Sequence, residues 1–262
     1  MAGAGPISPK GSIDRMPAAF KSVQEAKAYF EFYLKEFLHW IAYQIGWSYK
    51  EKELERRSLT AQVKIPFDEQ RAVYLESFAK WNESFRPLAI SSPSDPKEQR
   101  AILALSSRLK SLDASLGVDH FRGDMEYDLI TPQFEEILSL TQKLVDFESG
   151  PASDFTVDGT IISNAYGVAH KCRNPCLRRQ AINILESRPR REGIGDSPFI
   201  AKIARIQMEF EESGIISGVI PEEARMIGIK ISCDARQRQG QMTYLTKNRT
   251  GAFSNHHLEF TW

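Results

Sequence analysis

The residues with the greatest chemical reach lie together near position 170. His170, Cys172 and Cys176 are separated by two and four residues, close enough in sequence for imidazole and thiolate to share one zinc ion. A structural zinc site needs four such ligands at workable spacings. This chain has three cysteines in all, and its five histidines, His39, His120, His170, His256 and His257, are scattered. Pro175 between the cysteines marks a helix start, so Cys172 and Cys176 are expected as two small buried thiols at a helix N-terminus, with no metal bound. Cys233 falls in a predicted strand and is expected in the core.

The densest charge cluster surrounds those cysteines: Arg173, Arg178, Arg179, Arg188, Arg190 and Arg191. One reading is a nuclear-import or phosphate-contacting patch. The other is structural, with arginines complementing the end of a helix dipole and pairing with buried carboxylates such as Glu186 or Glu192. Basic and acidic residues number 34 each, for a net charge of zero, which favours the structural reading. Arg173, Arg178, Arg191 and Glu192 are therefore expected to form a polar network bracketing a helix from Asn174 to Ser187. The chain has no phosphate-cradling glycine loop, Gly-x-Ser-x-Gly elbow or His-Glu-x-x-His pair. No catalytic residue, cofactor or metal ligand is assigned, and an enzyme is not expected.

The elements that position these residues follow from periodicity and caps. Residues 1–17 are rich in Ala, Gly, Pro and Ser and read as a flexible leader. Ser22 and Glu25 make a capping box for a helix running to about Gly46, with Val23, Ala26, Phe30, Tyr33 and Phe37 on one stripe. Lys50–Lys64 reads as a charged surface connection. A second helix spans about 67–86, and its Tyr74, Phe78, Trp81 and Phe85 read as core packing rather than base stacking, because stacking platforms also need surrounding positive charge. A third helix begins at Asp95-Pro96 and stops at Gly117; a fourth begins at Thr131-Pro132 and ends near Gly150. Helices are expected over Thr160–His170, from the Asn174-Pro175 cap, and from an Asp196 cap to a Gly214 stop. Beyond Pro221 the period shifts toward two, predicting strands over Met226–Cys233, Gln241–Thr246 and His257–Trp262. The expected fold class is mainly α, one helical domain over 18–262, with a small antiparallel β tail in 220–262.

Composition bounds the rest. A hydrophobic share of 42% and a charged share of 26% are those of a globular chain. The zero net charge supplies no global case for gripping nucleic acid. No run approaches the roughly 20 apolar residues that span a bilayer. Three cysteines are too few for a disulfide framework, and the odd count suits a reducing compartment.

The segment Lys171–Asp196, KCRNPCLRRQAINILESRPRREGIGD, strongly resembles one found in the regulatory region of fungal binuclear zinc-cluster transcription factors. There a Cys-Arg-(Asn/Asp)-Pro turn, here Cys172, Arg173, Asn174 and Pro175, leads into an arginine-rich helix, here with Arg178 and Arg179. A Pro-Arg-(Arg/Gln)-Glu-Gly turn follows, here Pro189, Arg190, Arg191, Glu192 and Gly193. Pro17–Ala26 is similar to that family's Pro-x-x-Phe-x-Ser-x-x-Glu-Ala helix opening, and Tyr127–Leu140 to its Asp-x-x-x-Pro-x-Phe-x-x-Ile-x-x-Leu helix. Ile220–Arg225 and Trp262 resemble its β-like tail. The resemblance implies a helical regulatory domain in the nucleus, with the cytoplasm as the alternative. Its implied partners are proteins of the transcription machinery or a co-regulator, and its implied setting a fungal pathway such as secondary metabolism. The zinc cluster itself needs six cysteines within roughly thirty residues, because two zinc ions share thiolates. With three cysteines the chain cannot form it, so no DNA-contacting residue carries over and no sequence-specific DNA binding is expected from this chain alone. The stretch between His120 and Met125 is also shorter than the family pattern. The alternatives are a truncated remnant of such a factor and a helical scaffold with no transcriptional role; an enzyme of unfamiliar type would need a deep pocket of convergent titratable groups.

Overall fold

The computed structural model describes residues 16–52, 61–91, 93–119, 123–147, 155–156, 159–193, 195–215 and 218–262. The described residues hold seven α-helices and a small C-terminal antiparallel sheet, the mainly α class with a β tail. The chain divides into two compact units, 1–109 and 110–262. The boundary falls inside one helix, within what the sequence presents as a single domain.

The first unit contains α1 (Val23–Lys52), α2 (Ala61–Ile90) and the first part of α3 (Pro96–Gly117). Helix α1 starts where the capping residues lie: Ser22 Oγ accepts from the Glu25 amide at 3.2 Å, and the Glu25 carboxylate accepts from the Lys21 amide at 2.7 Å. The predicted stripe is buried, with Ala26, Phe30 and Tyr33 fully enclosed, and so are Tyr74, Phe78, Trp81 and Phe85 of α2. The rings interlock, Phe30 to Trp81 at 5.0 Å edge-on and Trp81 to Phe85 at 4.6 Å stacked. Trp81 Nε1–H donates to the Ala26 carbonyl at 2.9 Å. That bond satisfies the polar tip of an otherwise apolar side chain.

Both helices outrun their sequence-based ends, α1 by six residues and α2 at each end. The Lys50–Lys64 connection therefore shrinks: 50–52 and 61–64 are helical, and 53–60 lie outside the described residues. Of the leader, residues 1–15 also lie outside them, whereas Met16 is buried and the Pro17 carbonyl accepts from Ser84 Oγ at 2.6 Å.

The second unit holds the rest of α3, a 3₁₀ helix (Asp124–Ile130), α4 (Thr131–Phe147), α5 (Thr160–Lys171), α6 (Pro175–Ser187) and α7 (Ser197–Ser213). Gly123 leads into that 3₁₀ helix, and 120–122 lie outside the described residues. Two caps form as their residue types dictate. Asn174 Oδ1 accepts from the amides of Cys176 and Leu177, and Asp196 Oδ1 from that of Phe199. Helix α7 ends at Gly214, where glycine is required for space: its φ is −96°, open to any residue, but a Cβ there would lie 2.5 Å from the Ala224 Cβ.

Between α6 and α7, strands β2 (Arg191–Glu192) and β3 (Gly195–Asp196) form a tight hairpin, and β1 (Phe155–Thr156) pairs with β2 in parallel. Two-residue strands carry no readable alternation, so the sequence gives no sign of this sheet. Gly193 stands in the turn at φ +56°, where a side chain would be strained.

The C-terminal sheet runs β4 (Ile227–Asp234), β5 (Gln239–Lys247), β6 (Phe253–Thr261), all antiparallel in chain order. Strand β6 starts four residues before its sequence-based start. One face covers α7: Met242, Tyr244 and Phe260 close on Ile203 and Met226, with Phe199, Phe210 and Trp262 at the margin. Gly240 sits beneath the Phe260 ring, where a Cβ would come within 2.4 Å of it.

Candidate functional site

The polar residues of the second unit converge on one carboxylate, Glu211. It projects from the last turns of α7 and is fully buried. Its Oε1 accepts from Arg173 Nη2 at 3.1 Å, Gln207 Nε2 at 2.9 Å and the Met226 amide at 3.0 Å. Its Oε2 lies 3.1 Å from Arg173 Nε and 2.9 Å from Arg178 Nη1, ion-pair contacts off the ideal N–H line. One side chain thus ties together the α5–α6 connection, the first turns of α6, α7 and the entry to β4. In such a dry setting each guanidinium needs its counter-charge, because leaving it unpaired is severely unfavourable.

Short local bonds aim the two arginines. Arg173 Nη1 donates to the His170 carbonyl at 2.7 Å, and Arg178 Nε to the Ala169 carbonyl at 3.1 Å. Both acceptors are among the last carbonyls of α5, which have no partner within the helix. Gln207 Nε2 also donates to the His170 carbonyl, at 3.1 Å, so its Oε1 is the atom 2.7 Å from His170 Nδ1. That arrangement assigns the imidazole proton to Nδ1. Burial, reinforced by the adjacent Lys171 charge, depresses the His170 pKa to about 3, so the ring is neutral at physiological pH.

Two aspartates of the 3₁₀ helix complete the cluster. Asp124 accepts from Lys171 Nζ at 3.1 Å and lies 3.8 Å from Arg173. Burial pushes its carboxyl pKa up, but the Lys171 and Arg173 charges outweigh burial and hold it below the ordinary value. Asp128 takes the buried Arg225 in a two-pronged pair at 3.0 and 2.6 Å, while Arg225 also donates to the carbonyls of Asp124 and Ile220 at 3.1 Å each.

The residues singled out in the sequence divide between this cluster and the surface. Arg173 and Arg178 meet at Glu211, not at Glu186 or Glu192. Glu186 is exposed and pairs with Arg205 of α7 at 2.7 Å. Glu192 is buried apart from the cluster, accepting from the Ile162 amide in the first turn of α5 at 2.8 Å. Arg191, expected in the network, is 68% exposed and lies 3.5 Å from Asp196 across the β2–β3 hairpin. The strand pairing that shapes the turn directs its side chain outward. Arg190 is buried, Pro189 is exposed, and the exposed Arg179 holds Glu212 through both carboxylate oxygens.

Cys172 is buried, but Cys176 is exposed, contrary to the pair of buried thiols expected. Cys176 is the second residue of α6, facing away from Leu177 and Arg178. Cys233 is exposed as well, because β4 runs beyond the part of the sheet that α7 covers. Burial raises the Cys172 thiol pKa, and a protonated thiol is a poor nucleophile. Among the described residues no group of three or more His, Cys, Asp or Glu side chains is placed to hold a metal ion, and no helix is long and apolar enough to cross a membrane.

The sequence reading missed Glu211, Gln207, Arg225, Asp124 and Asp128. A signal existed for two of them. Gln207 and Glu211 fall at the fourth and eighth residues after Ile203, on the stripe that buries Ala204 and Met208. A polar residue in an apolar stripe demands a buried partner. The cluster ties five described chain segments together through complementary charge, the arrangement of a structural lock. In comparisons with protein-family models, curated proteins and solved structures, nothing matches this chain.

Proposed function

We propose that this chain is a transcription-factor-like regulatory protein that acts in the nucleus through contacts with other proteins, in the service of a fungal pathway such as secondary metabolism. The observation that carries the reading is the segment Lys171–Asp196, with its resemblance to the regulatory region of zinc-cluster factors. In the fold this segment forms an extended turn at Cys172–Asn174, a helix capped by Asn174, and a tight turn through Gly193. The arginines of the segment bear on the same reading. Arg173 and Arg178 serve the interior, and Arg179 serves an ion pair between helices, which leaves them poorly suited to phosphate contacts.

The test is the distribution of a fluorescently tagged copy in a filamentous fungal host. Nuclear accumulation is expected, and a purely cytoplasmic signal would replace this reading with a helical scaffold. In a gel-shift series, binding to DNA should be weak, salt-sensitive and blind to sequence. Tight, sequence-selective binding would overturn the assignment to protein contacts.

A further inference from the structure

The two edges of the C-terminal sheet are built differently. On β4 the register slips between Ile227 and Lys230, Gly228 takes φ +62°, and the exposed Lys230 follows. A bulge and a lysine are standard means of blunting an edge against pairing. Strand β6 has neither. It matches β5 residue for residue from Phe253 to Thr261 without a slip, and it contains no Pro, Lys or Arg. Among the described residues β5 is its one strand partner. Ser254, Asn255, His257, Glu259 and Thr261 are exposed, while Leu258 and Phe260 anchor the strand to the core beneath it. Among the described residues no strand pairs with the outer side of β6, and from Ser254 to Thr261 the regular register with β5 turns alternate backbone donors and acceptors toward that side.

We infer that β6 pairs antiparallel with β6 of a second copy of this chain, about a two-fold axis at Leu258, joining two three-stranded sheets into one of six strands. The side chains select both partner and register. In this register His257 faces the partner's Glu259 and Glu259 faces the partner's His257, while His256 faces the partner's Phe260 on the core side. Centring the axis on Glu259 would oppose two carboxylates, and centring it on His257 would set Glu259 opposite the partner's Asn255 and lose both His257–Glu259 pairs. Directly opposed pairs are the unit of sheet stability, and like charges there are unfavourable. A slip by one residue in the pairing would set the polar face of one sheet against the apolar face of the other. The pairing is self-complementary and closes on itself, as a two-fold interface must.

Sedimentation velocity and light scattering of the full chain, from micromolar to millimolar, test the inference. A dimer that grows with concentration is expected. His257→Glu and Glu259→Lys should each weaken it by roughly tenfold or more, because every such change acts twice across the axis. The double variant His257→Glu/Glu259→Lys should restore dimerisation to at least within about threefold of wild type, since it sets a carboxylate opposite an ammonium at each of the two pairs. Both side chains are mainly exposed, at 52% and 73%, and unchanged circular dichroism and urea midpoints establish that the variants fold. A chain that stays monomeric throughout, or a dimer indifferent to the single reversals, overturns the inference. So does a wild-type dimer readily locked by oxidation through the exposed Cys233, which would join the β4 edges instead.

Discussion

Replacing Glu211 with alanine is the sharpest perturbation the fold offers. The substitution removes the carboxylate that two guanidinium groups share as counter-charge, on side chains 5% and 0% exposed. Breaking a buried ion pair by removing one partner costs about 3–5 kcal/mol. The Met226 amide also loses its acceptor, roughly 1–3 kcal/mol for a buried donor left unmade. Partial relaxation offsets some of this, so Glu211→Ala should destabilise the second unit by at least about 4 kcal/mol, a large fraction of a typical domain's stability.

Arg173→Ala should be milder, about 1–3 kcal/mol, because Glu211 keeps Arg178, Gln207 and the Met226 amide. Arg179→Ala, which breaks an exposed pair, should stay within about 0.5 kcal/mol. Urea unfolding followed by far-ultraviolet circular dichroism measures all three, provided the transition slopes agree. A double-mutant cycle adds a second reading: Arg173→Ala should lose most of its effect in the Glu211→Ala background. If Glu211→Ala shifts stability by less than about 1 kcal/mol, or no more than Arg179→Ala does, the cluster is not what holds these segments together.

Three further outcomes are expected. The His170 pKa is about 3 in the fold against an ordinary value near 6.5, so between those values the unfolded chain binds the extra proton. Its stabilising effect is complete above about pH 6.5 and is lost as pH falls toward 3, with a slope of up to about 1.4 kcal/mol per pH unit. Urea midpoints at several pH values should show that slope, and His170→Gln should flatten it. Gly240→Ala drives a methyl into the Phe260 ring and should destabilise the sheet by about 1–3 kcal/mol, visible as a lower thermal midpoint; an unchanged midpoint would contradict the packing described. Thiol labelling of the native protein should modify Cys176 and Cys233 quickly and Cys172 only on unfolding, which mass spectrometry of the labelled peptides resolves.

What the sequence determines by itself is local. Caps and stripes depend on residues within a few positions of one another, so the starts of α1, α6 and α7 and the buried faces of α1 and α2 are legible without coordinates. The burial of Phe30, Trp81 and Phe85 follows from spacing alone, because a helix must hide its apolar stripe. So is the shift to a β tail, where the period changes from near 3.6 to 2.

What only the tertiary structure decides is which distant groups meet. Arg173 could have met Glu186, Glu192 or Glu211, since charge and sequence distance do not rank them. The choice falls to Glu211 because α7 lies against α5 and α6 with that side chain on its buried stripe. Arg191 and Cys233 show the converse. Each has a neighbourhood that reads as interior, yet one is turned outward by a two-residue strand and the other lies where α7 no longer covers the sheet. The burial of a residue is a property of what is laid over it. The chain that covers these positions comes from elsewhere in the sequence, so only folding sets it in place.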